Sequence, residues 1–96
     1  MNYITLGIHY PKPEHKDDII NAVKKVGEQA RNCRGLVDSG ALIDDKDNRI
    51  ILFSLWESGE AALEASKILR PMIAEFPFSE WERQPSDNMV GLPRVV

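Results

Sequence analysis

The hydrophobic residues of this chain switch period repeatedly, and that alternation constrains the fold more than any other feature. Residues 3–10, YITLGIHY, alternate: Ile4, Leu6 and Ile8 fall on one side, Thr5, Gly7 and His9 on the other. A period of two carried by β-branched and aromatic residues reads as a strand with one apolar face. Pro11 and Pro13 end it, because neither can donate to a ladder. From Glu14 the period lengthens. Ile19, Ile20, Val23, Val26, Ala30 and Cys33 form one helical stripe. Glu14, Asp17 and Asp18 lie in its first turn and Arg31 and Arg34 in its last, which suits the helix dipole, and Gly35 is the natural stop.

After Gly35 the segment LVDSGALI is strand-like, DDKDN is a polar turn, and RIILFSLW has the highest β-propensity in the chain, so the three predict a β-hairpin. Ser58 is placed to cap a second helix, with Glu60 near its positive end. Ala62, Leu63, Ser66 and Leu69 run along that helix as far as Pro71, where a break is expected, followed by a short segment through Phe76. SEWERQ alternates and is the expected fourth strand. The order is strand–helix–strand–strand–helix–strand, the split βαβ arrangement of ferredoxin-like α+β folds: a four-stranded antiparallel sheet with two helices on one face. The other face is then bare and needs a cover.

At 96 residues there is room for one domain, 1–96, with one modest core. So short a chain buries only roughly 60–65% of its unfolded surface, and pairing with a second copy is a common remedy. The tail SDNMVGLPRVV, residues 86–96, carries apolar residues that a partner subunit would cover, so this segment is expected to cross to a homodimer partner. Basic residues are scattered and the net charge is −3, which argues against nucleic acid or an anionic membrane as partner. No apolar run approaches the ~20 residues of a membrane span, MNYITLGIHY lacks a signal-peptide pattern, and the cytoplasm is the expected compartment. Cys33 is the one cysteine and reads as a small buried or half-buried thiol; no zinc-ligand spacing exists, and no metal is expected.

The run RGLVDSGALIDDKDNRIILFSLWESGEAALEA resembles the antibiotic biosynthesis monooxygenase family of the dimeric α/β barrel superfamily. The likeness rests on Gly35 opening the second strand, the acidic turn of Asp44, Asp45 and Asp47, and a Trp-x-Ser-x-Glu-Ala ending that reads Trp56, Ser58, Glu60 and Ala61. The resemblance implies a homodimer packed sheet to sheet. It also implies a pocket between sheet and helices in each subunit, and oxygenation of a small aromatic or quinone-like compound without a cofactor. Oxygen without metal or flavin must take electrons from an activated substrate, so the protein supplies orientation, a dry pocket, a base and a polar group for developing charge. The chain departs from the family at one place: members with the Trp motif commonly carry a His on the following helix, ten residues past the Trp, where this chain has Ser66. Haem ligation from that helix is therefore unsupported. A non-catalytic dimeric barrel that binds a small ligand or a partner protein stands as the alternative.

The candidate site residues follow. Trp56 is the leading pocket residue, with core packing as its plain alternative. His9 is the one imidazole on a predicted strand. Lying opposite Ile4, Leu6 and Ile8, it is expected at the barrel interior or dimer interface, with a catalytic base as the other reading. Leu6 and Tyr10, of one parity, would line the substrate pocket and its rim. Ser54, of the parity of Trp56, offers a hydroxyl; Ser66 would replace the family's His, with a helix-face Ser packed on the sheet as the simpler reading; Arg70 would anchor an anionic substrate, with a plain surface Arg as the favoured alternative.

Overall fold

A computed structural model describes the backbone of residues 1–96 and the side chains of all but 88–90. The strands are Tyr3–His9 (β1), Leu36–Asp44 (β2), Arg49–Trp56 (β3) and Asp87–Pro93 (β4). The helices are Lys16–Ala30 (α1), Gly59–Ala74 (α2) and the short Phe78–Trp81 (α3). The sheet order is β2-β3-β1-β4 with every neighbour antiparallel, so the two strands of highest β-propensity lie in the middle. This is the expected ferredoxin-like arrangement. No described helix is long and apolar enough to cross a membrane.

Local chemistry accounts for most element ends. A single 3-10 turn over Pro13–His15 precedes α1, and Ile19, Ala22, Val23, Val26 and Ala30 form its buried face. The helix ends at Ala30, before Cys33. Asn32 and Cys33 donate to the carbonyls of Gln29 and Ala30, so the last turn tightens before the chain leaves. Gly35 has φ +87°, and a Cβ there would lie 2.6 Å from the Ala61 Cβ, so the turn takes only glycine without strain. In the hairpin the Asp44 carboxylate accepts from the Lys46 and Asp47 amides and pairs with Arg49 at 2.9 Å, while Asn48 takes the left-handed position at φ 51°. Ser58 Oγ accepts from the Ala61 amide at 3.1 Å and caps α2 as expected.

Two expectations fail here. Pro71 lies inside α2, which continues to Ala74. Proline removes one hydrogen bond to the preceding turn; Met72, Ile73 and Phe76 beyond it pack on the core and hold the last turn in place. SEWERQ is not a strand: Phe78–Trp81 form α3, and the fourth strand is Asp87–Pro93 of the tail. That strand pairs with β1 of its own chain, Tyr3 opposite Pro93 and Thr5 opposite Gly91, which satisfies backbone groups that a crossing tail would leave to a partner. The Tyr3 ring lies over Gly91, where a side chain would collide with it.

Both long helices cover one face of the sheet. Trp56, 1% exposed, packs there with Val26 and Ala30 of α1 and Ala62, Ala65 and Leu69 of α2. A second cluster joins Ile19 and Val23 to Ile50. Cross-strand partners share a face, so the register places Thr5 with Ser54 and His9 with Ile50 under the helices. It places Ile4 with Leu55, Leu6 with Phe53 and Ile8 with Ile51 on the opposite, uncovered face.

Candidate functional site

A small, partly enclosed cavity lies between the sheet and the helices. Val23 and Val26 of α1, Leu69 and Ile73 of α2, and Leu52 and Phe78 form its apolar wall. Its polar wall comes from the sheet: Thr5, His9 and Ser54, with Gly7 between the first two. The free volume is about 30 Å³, room for a water or a dioxygen molecule and far below the ~300 Å³ at which pockets for drug-sized ligands begin. Phe78 closes one side. Its ring stacks on the His9 imidazole, centroids 4.6 Å apart and planes 25° from parallel. Phe78 also borders an open surface depression of about 420 Å³ formed with Ser79, Glu82, Arg83, Gln84, Pro85 and Ser86. The Phe78 ring thus stands between the cavity and that depression.

His9 is therefore on the helix side, against the expectation that it faces an interface. The reason lies in the composition of the two faces. The side richer in Ile and Leu is the uncovered one, and the helices instead pack over Thr5, Gly7 and His9. Every polar group brought inside has a partner. Trp56 Nε1 donates to Thr5 Oγ1 at 3.0 Å, Ser39 Oγ donates to the Phe53 carbonyl at 3.2 Å, and Ser39 and Ser54 hydroxyls lie 3.4 Å apart. His9 Nδ1 is 3.1 Å from Glu82 Oε1, with both side chains almost fully buried. Burial pushes the His9 pKa below 6.5, and the charge and hydrogen bond of Glu82 oppose that only in part. The lowered pKa favours the neutral imidazole, the form that can accept a proton.

The other candidates are dispersed. Ser54 lines the cavity with His9. Trp56, the leading candidate, does not line it: its ring is in the core and its indole N–H is engaged with Thr5. Leu6 pairs with Phe53 on the uncovered face, away from the cavity. Tyr10 lies just past the end of β1, its hydroxyl donating to Asp87 at the surface, which raises its pKa. Ser66 and Arg70 lie together in a shallow depression of about 130 Å³ near Tyr3, Thr5 and Gly91, where Ser66 Oγ donates to the Leu63 carbonyl at 2.6 Å. Strand parity put Leu6 and Tyr10 with the wrong layer because alternation defines two faces without saying which one the helices cover. Glu82 was missed altogether. It is 73 positions from His9, and no local periodicity links them. Cys33 is half-buried, and burial raises its thiol pKa, as suits an unreactive thiol. No cluster of metal-ligating side chains occurs among the described residues.

Solved structures share this architecture over the whole chain. The Rv0793 protein of Mycobacterium tuberculosis superposes with a TM-score of 0.84 at 13% identity, covering 100% of this chain and 97% of that one. A protein named as an antibiotic biosynthesis monooxygenase superposes with a TM-score of 0.77 at 16% identity, covering 100% of both chains. A mutant of SnoaB, a cofactor-independent oxygenase from Streptomyces nogalater, gives 0.78 at 12% identity over 97% of this chain and 92% of that one. The likeness read from the Trp56–Ala61 segment thus holds at the level of the fold, which these proteins share with this chain. No family profile and no curated protein sequence matches.

Proposed function

We propose that the chain is a cofactor-independent monooxygenase of the antibiotic biosynthesis type, with His9 as its base and a small aromatic or quinone-like compound as its substrate. The observation that carries this reading is a buried imidazole, held by a buried carboxylate, on the wall of a mostly apolar cavity. His9 would take a proton from an acidic ring CH2. The carbanion then reduces dioxygen to a peroxide at that carbon, and the peroxide collapses to a carbonyl with loss of water. Two C–H bonds break and one C=O forms; the four electrons that reduce O2 all come from the substrate carbon. Thr5 and Ser54 supply hydroxyls beside the reacting centre.

The cavity as it stands has room for dioxygen and not for a ring. An aromatic substrate enters by displacing Phe78, whose ring already occupies a stacking position on His9. The depression outside Phe78 is the route. The test is oxygen consumption with a panel of anthrone-like and quinol compounds. Turnover that disappears in His9→Gln supports the reading, and zero turnover across the panel removes it.

The second reading, a non-catalytic barrel that binds a small ligand, is favoured by the small cavity and by Ser66 at the family's His position. Saturable quenching of Trp fluorescence by the same compounds, without oxygen uptake, would select it. Either reading includes a homodimer closed across the uncovered sheet face. Ile4, Leu6, Ile8, Ile51, Phe53 and Leu55 are only half-buried there, and Leu42 and Leu92 are 53% and 51% exposed. A contiguous apolar face of that kind is rare on a monomer.

A further inference from the structure

Glu82 is buried at 7% exposure, and three polar groups converge on its carboxylate. Oε1 lies 3.1 Å from His9 Nδ1 and accepts from the Tyr10 amide at 3.0 Å; Oε2 accepts from Ser86 Oγ at 2.8 Å. The Glu82 backbone is fixed as well, bridged to Pro11 and donating from its amide to the Phe78 carbonyl at 2.9 Å. The carboxylate is thus tied to both ends of the segment it joins.

This geometry dictates the state of the imidazole. A carboxylate oxygen already accepting from an amide offers His9 only an acceptor, so Nδ1 carries the proton. A neutral imidazole has one proton to place, and Nε2 is left as a bare lone pair. That nitrogen is directed back along β1 towards Gly7: a Cβ built on Gly7 would have Nε2 as its nearest atom, at 3.9 Å. Gly7 lines the cavity and its backbone is compatible with a side chain; a Cβ there would fit, in ordinary contact with Nε2, and take up space beside that nitrogen. Among the described residues Glu82 is the one charged group acting on His9; the helices packed over it present Val23, Ile73 and Phe78.

We infer that Glu82 is the positioning residue that fixes His9 in the Nδ1–H tautomer, and that Gly7 leaves the Nε2 lone pair open to the cavity. The inference deepens the proposed role of His9 and rests on it for its catalytic meaning. Its physical content, the tautomer, stands or falls separately. A purely structural ion pair would carry protons on both nitrogens.

Nitrogen-15 spectra of the histidine rings in the full chain at pH 7.5 test it, with His15→Gln assigning the two residues. The expected result is a protonated Nδ1 and an unprotonated Nε2 on His9. A protonated Nε2, alone or with Nδ1, overturns the inference, and this measurement needs no mutant of the site. In Glu82→Leu the acceptor is gone, and His9 should move to the Nε2–H form; retention of Nδ1–H there also overturns it. Gly7→Ala should keep the tautomer while lowering any turnover at least tenfold, and unchanged turnover would contradict the role of Gly7. If the tautomer is as expected but no compound is oxidised, the base chemistry fails while Glu82 still positions the ring.

Discussion

The two faces of the sheet depart from the pattern of an ordinary monomer. Under the helices, beside the apolar Ile50 and Trp56, are Thr5, His9, Ser39 and Ser54, all polar and all at most 8% exposed. On the uncovered face the same strands present Ile4, Leu6, Ile8, Ile51, Phe53 and Leu55. A polar group costs free energy when buried unless it finds partners, and each of these has found them: Thr5 holds Trp56, Ser39 holds the Phe53 carbonyl, Glu82 holds His9. The inner face thus gives up apolar burial for a set of oriented polar atoms. The outer face keeps apolar surface that the chain alone leaves in water. One face is suited to chemistry and the other to assembly.

Removing the anchor of the inner face should have the largest effect. Trp56→Ala is expected to lower stability by about 3–5 kcal/mol, read from denaturant midpoints, because a fully buried ring is lost from the larger core cluster. A loss under 1 kcal/mol would mean that Trp56 is not core. On the outer face, Phe53→Glu should weaken self-association by about 3 kcal/mol, on the order of a hundredfold, with far-UV dichroism unchanged. Unaltered association would show that the uncovered face is not the contact. Thr5→Val deprives the buried Trp56 indole N–H of its acceptor and should cost about 2 kcal/mol, also read from denaturant midpoints.

The smallest expected effect is a pH slope. Burial lowers the His9 pKa in the native state, so the unfolded chain takes up a proton first as pH falls. Stability contributed by neutral His9 is present above about pH 6.5 and is lost as pH falls from there towards the native value. Below that value both states are protonated and the slope ends. His9→Gln should remove this slope; an identical slope in the variant would assign it elsewhere.

Much of this was legible in the sequence because it depends on neighbours. The stripe of Ile19, Val23 and Val26 specifies α1, the Asp-rich turn specifies the hairpin, and Ser58 specifies the start of α2. What failed depends on distant contacts. The period-two pattern of β1 separates Leu6 from His9 without saying which meets the helices, and placing the side with Leu6 against them chose the wrong one. Pro71 reads as a helix break until Met72, Ile73 and Phe76 are seen to anchor the turn beyond it. Asp87–Pro93 reads as a tail because only pairing with β1 makes it a strand. Of the candidate site, Ser54 and His9 meet in the cavity, and Glu82 joins them through the fold alone.

The division of labour between the two faces predicts that the apolar one is covered by a second copy. The native mass of the unmodified chain in dilute solution tests this most directly. A mass of two chains, twice 10.9 kDa, is the expected result. A mass of one chain at every concentration would contradict the account.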